Sequence, residues 1–124
     1  MVITYGNNFY LNVSTDVPDA PDAPVVSDIT KDTATVTWQP PKKDGGSKVT
    51  GYYIERMSDI TNRWVAANKV AVTDTTYLDK DISEGNAYQY RVTAENKAGK
   101  SKPSEPSQLV KAKDAMGRFP WLLF

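Results

Sequence analysis

The chain reads as an all-β protein, a seven-stranded antiparallel β-sandwich, and three observations carry that reading. Short runs alternate apolar and polar residues: over 33–39, Ala34, Val36 and Trp38 fall on one face and Thr35, Thr37 and Gln39 on the other, the period of a half-buried strand. No stretch shows convincing helical periodicity. Turn formers punctuate the runs, and seven candidate strands fit in about 90 residues, the spacing of a two-sheet sandwich.

The elements follow in order. "VVSDI" (25–29) opens the series after a run of prolines, and "TATVTWQ" (33–39) is the second strand. It must stop at Pro40 and Pro41, which cannot donate to a ladder, and Gly45 and Gly46 allow the positive φ of a tight reversal. "PPKKDGG" is therefore a corner between strands. Its paired glycines match neither GxGxxG nor GxxxxGK[ST], so a phosphate-binding role is not expected. "GYYIERM" (51–57) places Tyr52 and Ile54 inward and Tyr53 and Glu55 outward. "RWVAANKV" (63–70) and "TTYLD" (75–79) follow. "AYQYRVTAEN" (87–96) alternates most clearly, with Tyr88, Tyr90, Val92 and Ala94 against Gln89, Arg91, Thr93 and Glu95, and "SQLVKA" (107–112) closes the set.

Composition excludes several functions. At 124 residues there is room for one ordinary core with flanking sequence. Lys plus Arg and Asp plus Glu both total 15, so no global field gathers nucleic acid or anionic lipid. Without cysteine or histidine the chain lacks thiolate chemistry, the commonest general base and the commonest metal ligand. Catalysis, a cofactor and a metal site are not expected; Asp79 and Asp81 flank a turn without a second ligand cluster. No run approaches the roughly 20 apolar residues of a membrane span, and the opening "MVITYGNNFYLNV" has neither the basic nor the apolar region of an export signal. "NVS" (12–14) fits a glycosylation acceptor that a cytosolic protein would leave unused.

Together, "PDAPVVSDITKDTATVTWQPPKKDGGSKVTGYYIERM", "RWVAANK" and "ISEGNAYQYRVTAENKAGKSKPSEPS" resemble a fibronectin type III domain, of the kind found in the titin, twitchin and projectin group of giant muscle proteins. Trp38, Tyr52 with Ile54, and Ile82 followed by Tyr88 carry the general pattern; "DGGSKVTGYYIER" and "AENKAGKSKPSEPS" carry the muscle subtype. The resemblance implies a domain over 24–114 with a structural core of Trp38, Tyr52, Ile54, Tyr77, Ile82, Tyr88, Tyr90 and Val92. The Tyr88 hydroxyl would bond the preceding turn as a tyrosine corner. One position departs from the pattern: Asp79 stands where the family puts a branched apolar residue. A bulge or strand end is expected there, turning Leu78 inward and letting Asp79 reach water.

Residues 1–14 resemble the last strand of an immunoglobulin-like domain, orphaned from its sheet, with 15–23 as a proline-rich linker; the apolar tail 115–124 resembles nothing recognisable. Lys97, Lys100 and Lys102 read as solvated loop charge. Trp64 either caps the core or joins Tyr53 and Arg56 in a partner surface. The function implied is a non-catalytic, monomeric module of a cytoplasmic, sarcomeric giant: a spacer, an elastic element and a surface for myosin, other thick-filament proteins or neighbouring immunoglobulin and fibronectin domains. The alternative is an extracellular adhesion or receptor ectodomain, because the fold serves both compartments.

Overall fold

The computed structural model describes residues 2–5, 8–11 and 15–114. Among the described residues ten strands follow one another: β1 (Val2–Tyr5), β2 (Asn8–Leu11), β3 (Val25–Ser27), β4 (Ala34–Thr37), β5 (Gly51–Ser58), β6 (Trp64–Ala66), β7 (Thr76–Asp79), β8 (Ala87–Asn96), β9 (Gly99–Lys100) and β10 (Val110–Lys111). Strands β1 and β2 form an antiparallel pair, from Val2 opposite Leu11 to Tyr5 opposite Asn8. Where one orphan strand was expected over 1–14, the described residues form this antiparallel pair. The "NVS" tripeptide and the tail 115–124 lie outside the described residues.

The remaining strands make two antiparallel sheets. One has the order β3-β4-β7; the other runs β6-β5-β8, with β9 and β10 both paired to β8. The longest contact joins β5 to β8, with Ile54 opposite Val92 and Arg56 opposite Tyr90. Between the sheets lie Ala34, Val36 and Trp38 from one side and Tyr52, Ile54, Tyr88, Tyr90, Val92 and Ala94 from the other, with Ile82 and Ala112 closing the ends. The Trp38 and Tyr52 rings meet edge to face at 5.3 Å, the arrangement that aromatic quadrupoles favour. Tyr77 is half-buried against this core and its hydroxyl donates to the Ala67 carbonyl at 2.8 Å. The Tyr88 hydroxyl accepts the Ser83 N–H at 2.8 Å, pinning the turn before β8.

Asp79 overturns the expected bulge. Strand β7 keeps its alternation, leaving Leu78 45% exposed and Asp79 fully buried. The carboxylate is tolerated because it is surrounded by donors. Arg56 Nη1 reaches both of its oxygens at 2.9 and 2.8 Å, the Tyr90 hydroxyl donates at 2.6 Å and the Asp81 N–H at 3.1 Å. Arg56 and Tyr90 come from one sheet and Asp79 from the other, so these bonds cross the sandwich.

Two flanking segments follow a three-residue period, that of a polyproline helix. Pro18, Pro21 and Pro24 are buried while the residues between them are exposed. In the second segment Ser101, Ser104 and Ser107 are buried in the same rhythm. Their N–H groups donate to the carbonyls of Ala94, Val92 and Tyr90 at 2.8, 2.8 and 2.7 Å. Their hydroxyls accept the N–H groups of Ala94, Val92 and Tyr90 at 3.0, 2.9 and 3.0 Å. Three residues on this flank therefore match two on β8. The strand expected over 107–112 is ladder-paired at Val110–Lys111, and serine side chains do the pairing upstream of it.

Candidate functional site

The outer face of the larger sheet carries a group of part-exposed aromatic and charged side chains. Alternation along β5 turns Tyr53, Glu55 and Met57 outward, and along β8 it turns Gln89, Arg91, Thr93 and Glu95 the same way. Register completes the face: Trp64 stands opposite Met57, Ala66 opposite Glu55, and Lys100 opposite Glu95.

Two linked clusters result. Arg91 Nε and Nη2 donate to the two Glu55 oxygens at 2.9 and 3.2 Å, while its guanidinium lies 4.4 Å from the centre of the Trp64 ring. Beside it, Lys100 Nζ sits 3.9 Å above the Tyr53 ring, and the Tyr53 hydroxyl donates to Glu95 at 3.3 Å. A recess of about 260 Å³ lies between Tyr53, Glu55, Ala66, Thr93 and Lys100. Each contact is worth little to stability, because a half-exposed ion pair or cation–π contact contributes about 1 kcal/mol or less. Their effect is to hold flat rings and charges in fixed positions at the surface, which lowers the entropy lost when a partner docks.

Of the residues grouped in sequence as a partner surface, Tyr53 and Trp64 lie on this face. Arg56 does not: with 14% of its side chain exposed it points inward to Asp79. Burial works against its charge, but the hydrogen bond and attraction of Asp79 outweigh it and hold the guanidinium above its ordinary value. The same carboxylate, after burial itself, pushes the Tyr90 hydroxyl far above the usual tyrosine range. Arg91, Glu55, Glu95 and Lys100 were not singled out in sequence as members of a surface. Their outward phase is legible in the two-residue period, but the pairing of Arg91 with Glu55 needs the register of β5 against β8. Lys100, read as solvated loop charge, is seated on Tyr53.

Among the described residues no group of three or more Asp and Glu could hold a metal ion, and the charges of Asp79 and Arg56 are paired with each other across the sandwich.

Comparison with known proteins agrees with the sandwich. The chain is 45% identical over 93 residues to cardiac-type myosin-binding protein C of Gallus gallus, covering 75% of this chain and 7% of that protein. It is 43% identical over 93 residues to the slow-type protein of Homo sapiens, covering 75% and 8% respectively. Among solved structures, titin domains A168–A170 superpose with a TM-score of 0.76 at 41% identity, over 80% of this chain and 33% of that one. The twitchin kinase region of C. elegans superposes with a TM-score of 0.73 at 33% identity, over 79% and 17%. The chain thus corresponds to a small fraction of its curated relatives' length. Residues 19–110 match the model of the fibronectin type III domain, and the chain belongs to that family, with relatives among the muscle proteins myosin-binding protein C, titin and twitchin.

Proposed function

We propose that this chain is one non-catalytic module of a giant sarcomeric protein, spacing its neighbours and offering the Trp64–Arg91–Tyr53 face to thick-filament proteins, with myosin the first candidate. The observation that carries this reading is the identity above 40% with two myosin-binding proteins, over 93 residues and 75% of this chain.

The mechanism is mechanical as much as chemical. The core resists extension cooperatively, and a sandwich of about 90 residues pulled to full length yields roughly 300 Å of chain. A string of such domains is a ruler with reserve length. The outer face supplies selectivity, since aromatic rings with fixed cations over them are the residue types that dominate protein contacts.

The test is immunolocalisation in muscle together with a size blot, using an antibody raised against residues 24–114. Regular sarcomeric stripes and a very large band are expected. Staining at the cell surface, with a band that shrinks on deglycosylation, would overturn the reading in favour of an adhesion module.

A further inference from the structure

We propose that residues 15–23 are a splint seated in a socket at one pole of the sandwich, so that the chain enters the domain in a fixed direction and any module upstream is held at a set angle. The inference rests on reading the domain as one of a string, although its test does not.

The socket is built from the corner 43–47 and the turn after β8. Asp16 N–H donates to the Gly45 carbonyl at 2.8 Å and Asp19 N–H to the Lys43 carbonyl at 3.0 Å. Asn96, 97% buried, is the clamp. Its side-chain amide donates to the carbonyls of Asp16 and Asp44, both at 2.7 Å, and to Ser47 at 3.4 Å, while its Oδ1 accepts the Ala98 N–H at 2.8 Å. One side chain thus ties linker, corner and turn together.

Glycine makes the seat possible. At Gly45, φ is +80°, and a methyl group would collide with the Asp16 carbonyl and stand 2.6 Å from that of Val17. At Gly99 the backbone lies close enough that a methyl would press on Val17 Cγ1 at 3.3 Å. Pro18 and Pro21 are buried, which supplies apolar contact beyond the clamp. Three of the linker's backbone groups, the Asp16 and Asp19 N–H and the Asp16 carbonyl, are paired with the domain. A tether meant to swing would leave them to water, and a Pro-bearing segment docked along one face is stiff over several residues.

Backbone relaxation and amide exchange of the full 124-residue chain test this. The Asp16 and Asp19 amides are expected to show order parameters near about 0.85, matching β5 and β8, and slow exchange. Values below about 0.6 in the unmodified chain would overturn the proposal without any variant. Asn96→Asp keeps the shape and the acceptor for Ala98 while aiming oxygen at three carbonyls. It is expected to drop the Asp16 and Val17 amides below about 0.6 and leave β5 and β8 unchanged. Gly45→Ala is expected to eject the same segment with Asn96 intact. An ordered linker in both variants would also overturn the splint. None of these outcomes depends on whether the parent protein is sarcomeric.

Discussion

Removing the buried carboxylate is the most demanding test of how this sandwich is held together. In Asp79→Ala the Arg56 guanidinium stays in a site where 14% of its side chain reaches water, and it loses both oxygens that now lie within 2.9 Å. The Tyr90 hydroxyl, fully buried, loses its acceptor at the same time. Breaking a buried pair from one side typically costs about 3–5 kcal/mol, a large part of the roughly 5–15 kcal/mol that stabilises a domain. With a urea slope of about 1–2 kcal/mol/M the unfolding midpoint should fall by about 1.5–5 M, read by tryptophan fluorescence. The complementary variant is Asp79→Val with Arg56→Met and Tyr90→Phe, which removes every polar member together. Such replacements are often neutral or stabilising by about 1–4 kcal/mol, because no ion needs to be desolvated. A midpoint for Asp79→Ala within about 0.5 M of the parent would refute the buried network; so would a triple variant no more stable than Asp79→Ala.

Further outcomes follow from individual contacts. The hydroxyls of Tyr90, Tyr52 and Tyr77 are all held above the ordinary tyrosine value of 10.0, chiefly by burial. The native state therefore keeps protons that the unfolded chain releases. Stability should be intact below about pH 10 and decline above it, by up to about 1.4 kcal/mol per pH unit for Tyr90 alone; urea midpoints that stay level from pH 8 to 11.5 would count against this. Ser104→Ala strips the buried Val92 N–H of its acceptor and should cost about 1–3 kcal/mol, with amide exchange quickening first at Val92. Trp64→Ala removes a half-exposed ring under Arg91. It should cost less than about 1 kcal/mol of stability yet weaken binding to purified thick filaments about tenfold or more, which sedimentation would report.

The two-sheet architecture was legible because strands β4, β5 and β8 write their phase in alternating residues, and Pro40, Pro41, Gly45 and Gly46 mark where one must end. The serine ladder was not, although "SKPSEPS" spells it out. A segment that pairs through side-chain hydroxyls repeats every third residue, so a search for periods of two and 3.6 passes over it. "PDAPDAP" has the same rhythm; its prolines mark a linker in sequence, and the structure buries them against the sandwich. On the outer face, the sequence grouped Tyr53, Trp64 and Arg56 as one of two readings, and Arg56 falls elsewhere, paired with Asp79. Phase alone argues otherwise: Arg56 shares the inward parity of Tyr52 and Ile54.

That parity also explains why Asp79 could not be read correctly by itself. An inward carboxylate is forbidden when taken alone, and the same is true of an inward arginine at position 56. Taken alone, each position demands a strand defect. Only when β5 and β7 are placed on opposite sheets do the two violations cancel, with Tyr90 as the third member. Apolar contacts between sheets have no direction and tolerate sliding, whereas a guanidinium bonded to both oxygens of one carboxylate admits little displacement. In a domain whose proposed work is to bear tension along its strands, a polar tie between the layers would set the register of one sheet on the other. The triple apolar variant separates the two roles. It retains or gains equilibrium stability, while the force needed to shear the sheets apart falls if the tie sets register and holds steady if apolar packing alone does so.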